Sequence, residues 1–220
     1  DVCSSDLLTA LGYSLSEIFN RKVNHIVLEG HGREEIDPSI DISRTVGWFT
    51  TMYPVRLEVE DDIGNSIKKI KETLRRVPNK GIGYGALIGY EIFNMPNICF
   101  NYLGQFEGRA NLEEGKGWCI SGESGGLSVD RQNNDYNIIN IDCLIIDGKL
   151  KLNIASKIGT DETERLRNIL QGKIENIVLY VSSLERTYLT VSDIDNIISQ
   201  EYLDKLQVDR EIEGVYLANS

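Results

Sequence analysis

Apolar residues recur along the chain with two different periods, and the changes between them mark out the elements. Leu7, Leu8, Leu11, Leu15 and Ile18 return at three- and four-residue steps, which predicts an amphipathic helix over residues 5–20. Asn24 to Leu28 follows as a short apolar strand that stops at a glycine. Residues 51–60 (TMYPVRLEVE) alternate from Val55 to Val59 and predict a second strand. Pro54 confines that strand to a sheet edge or a strand start, because proline has no N–H to give a ladder. Asp61 and Asp62 then open a helix with a stripe of Ile63, Ile67, Ile70 and Leu74. Its acidic start and its Arg75–Arg76 end complement the helix dipole.

Pro78 with Gly81, Gly83 and Gly85 breaks the chain before a short helix over 86–92, and residues 97–106 read as a third strand. Residues 107–135, rich in Gly, Glu, Ser and Asn, read as a long loop with one strand near 118–120. The run 136–156 is the clearest hairpin, turning at Asp147–Gly148. A helix over 160–184 carries Leu166, Ile169, Leu170, Ile174, Ile177, Val178 and Val181 on one stripe. Residues 190–220 are polar, with short helices from Ser192 and around 200–206. The expected division is therefore a domain over 1–189 and a linker or docking tail over 190–220. Strands interspersed with helices, plus a hairpin, predict an α/β fold with a mixed sheet.

Charge narrows the function. With 23 basic and 34 acidic residues the net charge is −11, a field that repels phosphate backbones and anionic membranes. Nucleic acid and membrane are thus not expected partners, and no apolar run reaches the roughly 20 residues of a bilayer span. Cys3, Cys99, Cys119 and Cys143 are scattered without a C-x-x-C pair. His25 and His31 are six residues apart and do not share a helix face, so no metal site is expected. Reduced thiols, and no basic-then-apolar leader in DVCSSDLLTALG, give a cytoplasmic expectation.

Three segments have a composition suited to chemistry. Glu29 to Glu34 packs two acids, a histidine and an arginine around two glycines at a strand end. Glycines there let the backbone approach a ligand, although a tight turn with solvated charges has the same composition. Arg44 to Thr50 sets Trp48 and Phe49 beside an arginine, which suits a core anchor or a cleft wall. The GIGYG run at 81–85 lacks the preceding strand and the lysine of a phosphate-binding loop, and is not one.

Taken in order, EGHGRE (29–34), RTVGWFTTMYPVRL (44–57), PNKGIGYGAL (78–87) and FNYLGQF (100–106) resemble the signature series of the epimerization domains of nonribosomal peptide synthetases. LLTALG (7–12) is similar to that family's helix motif, with Ser5 where the family usually has aspartate. EGHGRE is the motif that separates epimerization from condensation domains in this superfamily. The resemblance implies a mixed-sheet α/β sandwich, one chloramphenicol acetyltransferase-like lobe of a two-lobed domain. The family's H-H-x-x-x-D-G motif sits in the first lobe, and no adjacent histidine pair occurs here. The chain is therefore expected to be the C-terminal lobe, with a tail leading towards a following condensation domain, and to be inactive alone.

The implied reaction inverts the α-carbon (L to D) of an aminoacyl or peptidyl thioester held on a carrier protein. The implied partners are the N-terminal lobe, the peptidyl carrier (thiolation) domain and that thioester. No cofactor is bound directly, since the substrate rides on the carrier's phosphopantetheine. Inversion needs proton donors on both faces of a planar intermediate and stabilisation of an enolate-like oxygen. On the resemblance, Glu29 is the candidate carboxyl of this lobe, facing a histidine of the other. Arg33 is expected to orient Glu29 or a neighbouring carboxylate. Asn101 and Tyr102 are candidates for enolate stabilisation or substrate positioning, with a core role open for Tyr102. A condensation-type lobe that forms peptide bonds, and a non-catalytic carrier-docking module, are the alternatives.

Overall fold

The structure, a computed structural model, describes residues 2–89, 94–106, 123, 126, 130 and 132–217. Five strands form one mixed sheet in the order β2-β1-β3-β4-β5: β1 (Val23–Gly30), β2 (Thr51–Glu58), β3 (Ile98–Phe106), β4 (Ile139–Ile146) and β5 (Lys149–Ser156). β1 runs parallel to β3, β3 parallel to β4, and β5 antiparallel to β4. The helices are α1 (Val2–Phe19), α2 (Ile63–Arg75), α3 (Tyr84–Ile88), α4 (Thr160–Ser183) and α5 (Gln200–Leu206). The chain divides into two compact units, one of residues 1–24, 56–80 and 166–220 and one of 25–55 and 81–165.

The first unit is mainly helical. α1 buries Leu7, Leu8, Leu11 and Leu15 as their spacing predicts. Asp62 caps α2 by accepting from the Asn65 N–H at 2.7 Å. The α2 stripe is narrower than its isoleucines suggest: Ile70 is buried with Ser66 and Glu72, while Ile63, Ile67 and Leu74 are only half-buried. Ser66 tolerates burial because its hydroxyl meets Tyr13 Oη at 2.8 Å and receives the Glu60 N–H at 2.8 Å. On α4, Leu166, Leu170 and Ile177 are buried, whereas Val178 is 56% exposed. Val178 lies about 100° around the helix from Ile177, beyond the edge of the buried stripe.

The expected boundary at 189 does not separate a linker from this unit. Thr190, Val191, Ile194, Leu203 and Gln207 are all buried. The Gln207 side-chain amide accepts from Leu189 N–H at 2.7 Å and donates to Leu189 C=O at 3.1 Å, and Arg186 donates to the carbonyls of Gln207 and Val208. A 3-10 turn at Val191–Ile194 is fastened to α2 through Asp193 and Ser192. The polar residues that suggest a solvated tail serve instead as clamps.

The second unit carries most of the sheet. Its core is Ile26, Val27, Leu28, Val55, Ile98, Phe100, Ile139, Ile141 and the buried free thiols Cys99 and Cys143. β2 is an edge strand, as Pro54 requires. The β4–β5 hairpin pairs Ile146 with Lys149 across Asp147 (φ 50°) and Gly148 (φ 71°). Two consecutive positive φ values make this the turn whose twist suits a two-residue hairpin. The helix expected over 86–92 is α3, ending at Ile88, and residues 90–93 lie outside the described residues. The strand expected near 118–120 also lies outside them.

Candidate functional site

Strand register sorts the candidate residues by face. Val27 pairs with Cys99 and Cys99 with Asn140, so these share one face of the sheet. Alternation then puts Glu29, Asn101 and Asp142 on that same face, two residues further along each strand. Leu28, Phe100 and Ile141 form the opposite, apolar face. This polar face thus gathers two acids, two amides and a thiol, where the C-terminal end of β1 lies beside the N-terminal halves of β3 and β4. Tyr102 aligns with Cys143 and belongs to the other face, immediately before a register shift that ends at Gln105. The structure therefore brings Glu29 and Asn101 together and sets Tyr102 apart from them.

Glu29 is half-buried, and its Oε1 accepts a hydrogen bond from Cys99 Sγ at 3.5 Å. Burial, and then the negative charges of Glu29, Asp142 and Asp135, push the Cys99 thiol up to about 12. Asp135 accepts from Asn140 Nδ2, and Asn140 in turn accepts from Asn137 Nδ2 at 2.8 Å. No sequence motif singles out Cys99 or Asp142 as site residues. The signals that point to them are the strand period of two, counted back from Asn101, and an aspartate inside the otherwise apolar run INIDCLII.

The remaining members of EGHGRE build the wall beside this face. Gly32 has φ 64°, and a Cβ on it would lie 1.6 Å from the Phe49 carbonyl oxygen. Only glycine lets the strand end touch the segment containing Trp48 and Phe49. Arg33 donates to the carbonyls of Ile42 and Thr45, each at 2.9 Å, and its guanidinium stacks 4.2 Å from the centroid of the Phe49 ring. These contacts tie down the 42–49 segment, so Arg33 holds that loop through backbone carbonyls, where the expectation is that it orients Glu29 or a neighbouring carboxylate. His31 Nδ1 accepts from the Arg33 N–H at 3.0 Å and Nε2 faces Glu34 at 3.0 Å, so the imidazole is held within the turn.

Trp48 is not a core anchor: it is 90% exposed, with Val46 beside it at 98%. Phe49, half-buried, packs in its place because the arginine stacks on its ring. Gly81 answers for the third motif. At φ 78° it accepts the Tyr53 ring at a distance where a Cβ would stand 2.2 Å from the ring carbon. A small apolar cavity of about 180 Å³ lies next to the turn, lined by Ile36, Ile40, Ile42, Phe49 and Ile82 with Glu34 and Asp37. Among the described residues no cluster of His, Cys, Asp and Glu could hold a metal ion, and no helix is long and apolar enough to cross a membrane.

A mixed five-stranded sheet with helices is the α/β fold of condensation domains and of the chloramphenicol acetyltransferase-like proteins. The chain matches the condensation domain family over residues 4–196, and it belongs to that family. It is 35% identical over 214 residues to bacitracin synthase 3 of Bacillus licheniformis, covering 91% of this chain and 3% of that protein. It is 37% identical over 212 residues to gramicidin S synthase 1 of Brevibacillus brevis, covering 85% of this chain and 19% of that protein. Among solved structures, the epimerization domain from the third module of tyrocidine synthetase B superposes with a TM-score of 0.70 at 32% identity. That match covers 80% of this chain and 42% of the other. The chain thus spans a minor part of the relatives it matches.

Proposed function

We propose that this chain is the C-terminal lobe of an epimerization domain, inverting the α-carbon of an aminoacyl or peptidyl thioester on the phosphopantetheine arm of a carrier protein. The observation that carries this reading is EGHGRE itself. Its first residue, Glu29, sits on the polar face at the end of β1, level with the Asn101 of FNYLGQF. The 32% identical epimerization domain of tyrocidine synthetase supports it.

The thioester acidifies the α-proton, and a base removes it to give a planar enolate-like intermediate. Glu29 serves one face of that plane as proton acceptor or donor, and a histidine from the N-terminal lobe serves the other. The Asn101 amide on the same sheet face supplies a hydrogen-bond donor for the developing oxyanion. Arg33 contributes by holding the 42–49 loop against the turn. Tyr102, on the other face, keeps a structural role. This lobe alone lacks the histidine, so the isolated chain does not invert substrate. The broad family match also accommodates a peptide-bond-forming lobe, which EGHGRE disfavours.

The test uses the two-lobed enzyme with its loaded carrier, followed by chiral analysis of the released amino acid. Glu29→Gln should slow inversion by about 10²–10⁴, the usual contribution of one positioned acid or base. A Glu29→Gln enzyme that inverts both enantiomers at the parent rate removes Glu29 from the mechanism.

A further inference from the structure

We infer that Cys99 is a positioning residue for Glu29: its thiol holds one carboxyl oxygen so that the other is presented to the substrate's α-carbon, an inference that rests on the epimerase reading above. A carboxylate has two equivalent oxygens and a free rotor at its end. Proton transfer to carbon needs one oxygen fixed in line with the reacting bond, and a side chain left to rotate loses rate in proportion to the time it spends elsewhere. In this structure the rotor has a stop. β1 and β3 are neighbours, Val27 pairs with Cys99, and Glu29 reaches back along the face so that its Oε1 receives Cys99 Sγ at 3.5 Å.

Cys99 is suited to donating and unsuited to anything else. It is 4% exposed on a central strand, so it is shielded from bulk oxidants and electrophiles. Burial, Glu29 and the nearby Asp142 and Asp135 keep its proton on, and a protonated thiol is a poor nucleophile. The groups around the pair explain why a weak donor is used there. Asp142 from β4 and Asp135 from the segment before β4 are acidic, so a second carboxylate-like partner would repel Glu29, and a cation would neutralise it. A thiol orients the carboxyl while perturbing its charge little.

The experiment measures inversion by the two-lobed enzyme on its own loaded carrier domain, varying carrier concentration to separate kcat from KM. Cys99→Ala should lower kcat about tenfold with KM unchanged, the loss typical of one hydrogen bond to a charged group. Cys99→Val, which fills the buried space without a donor, should do the same, and Cys99→Ser, which restores a donor, should recover to within about threefold. In a Glu29→Gln background, Cys99→Ala should change the residual rate by less than about twofold, because coupled residues are not additive. Both donorless variants within about twofold of the parent, or an equal loss in the Glu29→Gln background, would overturn the inference. Failure of the epimerase reading looks different: the parent enzyme itself then releases only L-amino acid, whichever residue stands at 99.

Discussion

Replacing Asp193 by alanine tests whether the 186–208 segment is part of the folded unit. Asp193 Oδ2 accepts from the Thr190 N–H at 2.7 Å and the Thr190 hydroxyl at 3.0 Å, closing a capping box on the 3-10 turn. The same carboxylate meets Lys71 Nζ at 2.6 Å and Arg75 on α2. Loss of the cap costs about 1 kcal/mol. The cations are 24% and 41% exposed, so each pair is credited with about 0.5 kcal/mol. The sum is about 2 kcal/mol, a melting-point loss of about 4–8 °C for a chain of this size. Burial alone would raise the Asp193 pKa, but the Lys71, Thr190 and Arg75 hydrogen bonds outweigh it and hold the group well below the usual carboxylate range. A depressed carboxyl contributes stability above its unfolded pKa and loses it as pH falls through the folded value. The gap between parent and variant should therefore persist at neutral pH and close in strong acid. Thermal unfolding measures the size, and hydrogen exchange measures the place, with protection lost across 186–208. Asp193→Ala within about 0.5 kcal/mol of the parent, with exchange there unchanged, would refute the reasoning.

Leu170→Ala should cost about 2–5 kcal/mol by denaturant unfolding and Ile174→Ala clearly less, because Leu170 is 2% exposed and Ile174 only half-buried. Burial raises Asp6 on α1 to about 6, so its ionisation opposes folding. Stability linked to it is fully present below the unfolded pKa, near 3.8, and is lost as pH rises through about 6. The full shift corresponds to about 3 kcal/mol, and solvent screening of this partly exposed group reduces it, so Asp6→Asn should stabilise by about 1–2 kcal/mol at pH 7.5 and by nothing below about pH 3, read from unfolding curves at both values.

Much of the frame follows from local rules visible in the residues. The Asp147–Gly148 hairpin, the edge placement of Pro54 and the Asp62 cap each depend on a residue's own backbone or side-chain chemistry, so neighbours along the chain suffice to read them. The buried end of the chain is not legible in that way, because Thr190 and Gln207 are polar yet buried, and Asp193 fastens the turn between them to Lys71, a partner far away in sequence. The site divides the same way. Motifs identify Glu29 and Asn101, and the sheet sets them on one face. Tyr102 follows Asn101 directly, yet a one-residue step in a strand reverses the face. The places of Arg33 and Trp48 depend on the path of the 42–49 loop, which Gly32 and the Phe49 ring decide and composition does not reveal.

Exchange at the α-carbon addresses the central claim most directly. The two-lobed enzyme, its carrier loaded with an L-aminoacyl group, is incubated in deuterium oxide, and the released amino acid is analysed for configuration and mass. Epimerization predicts D-amino acid carrying one deuterium at the α-carbon, accumulating until the two enantiomers reach a steady ratio. L-amino acid without deuterium, from an enzyme that instead joins the loaded group to a second carrier-bound amine, would contradict it.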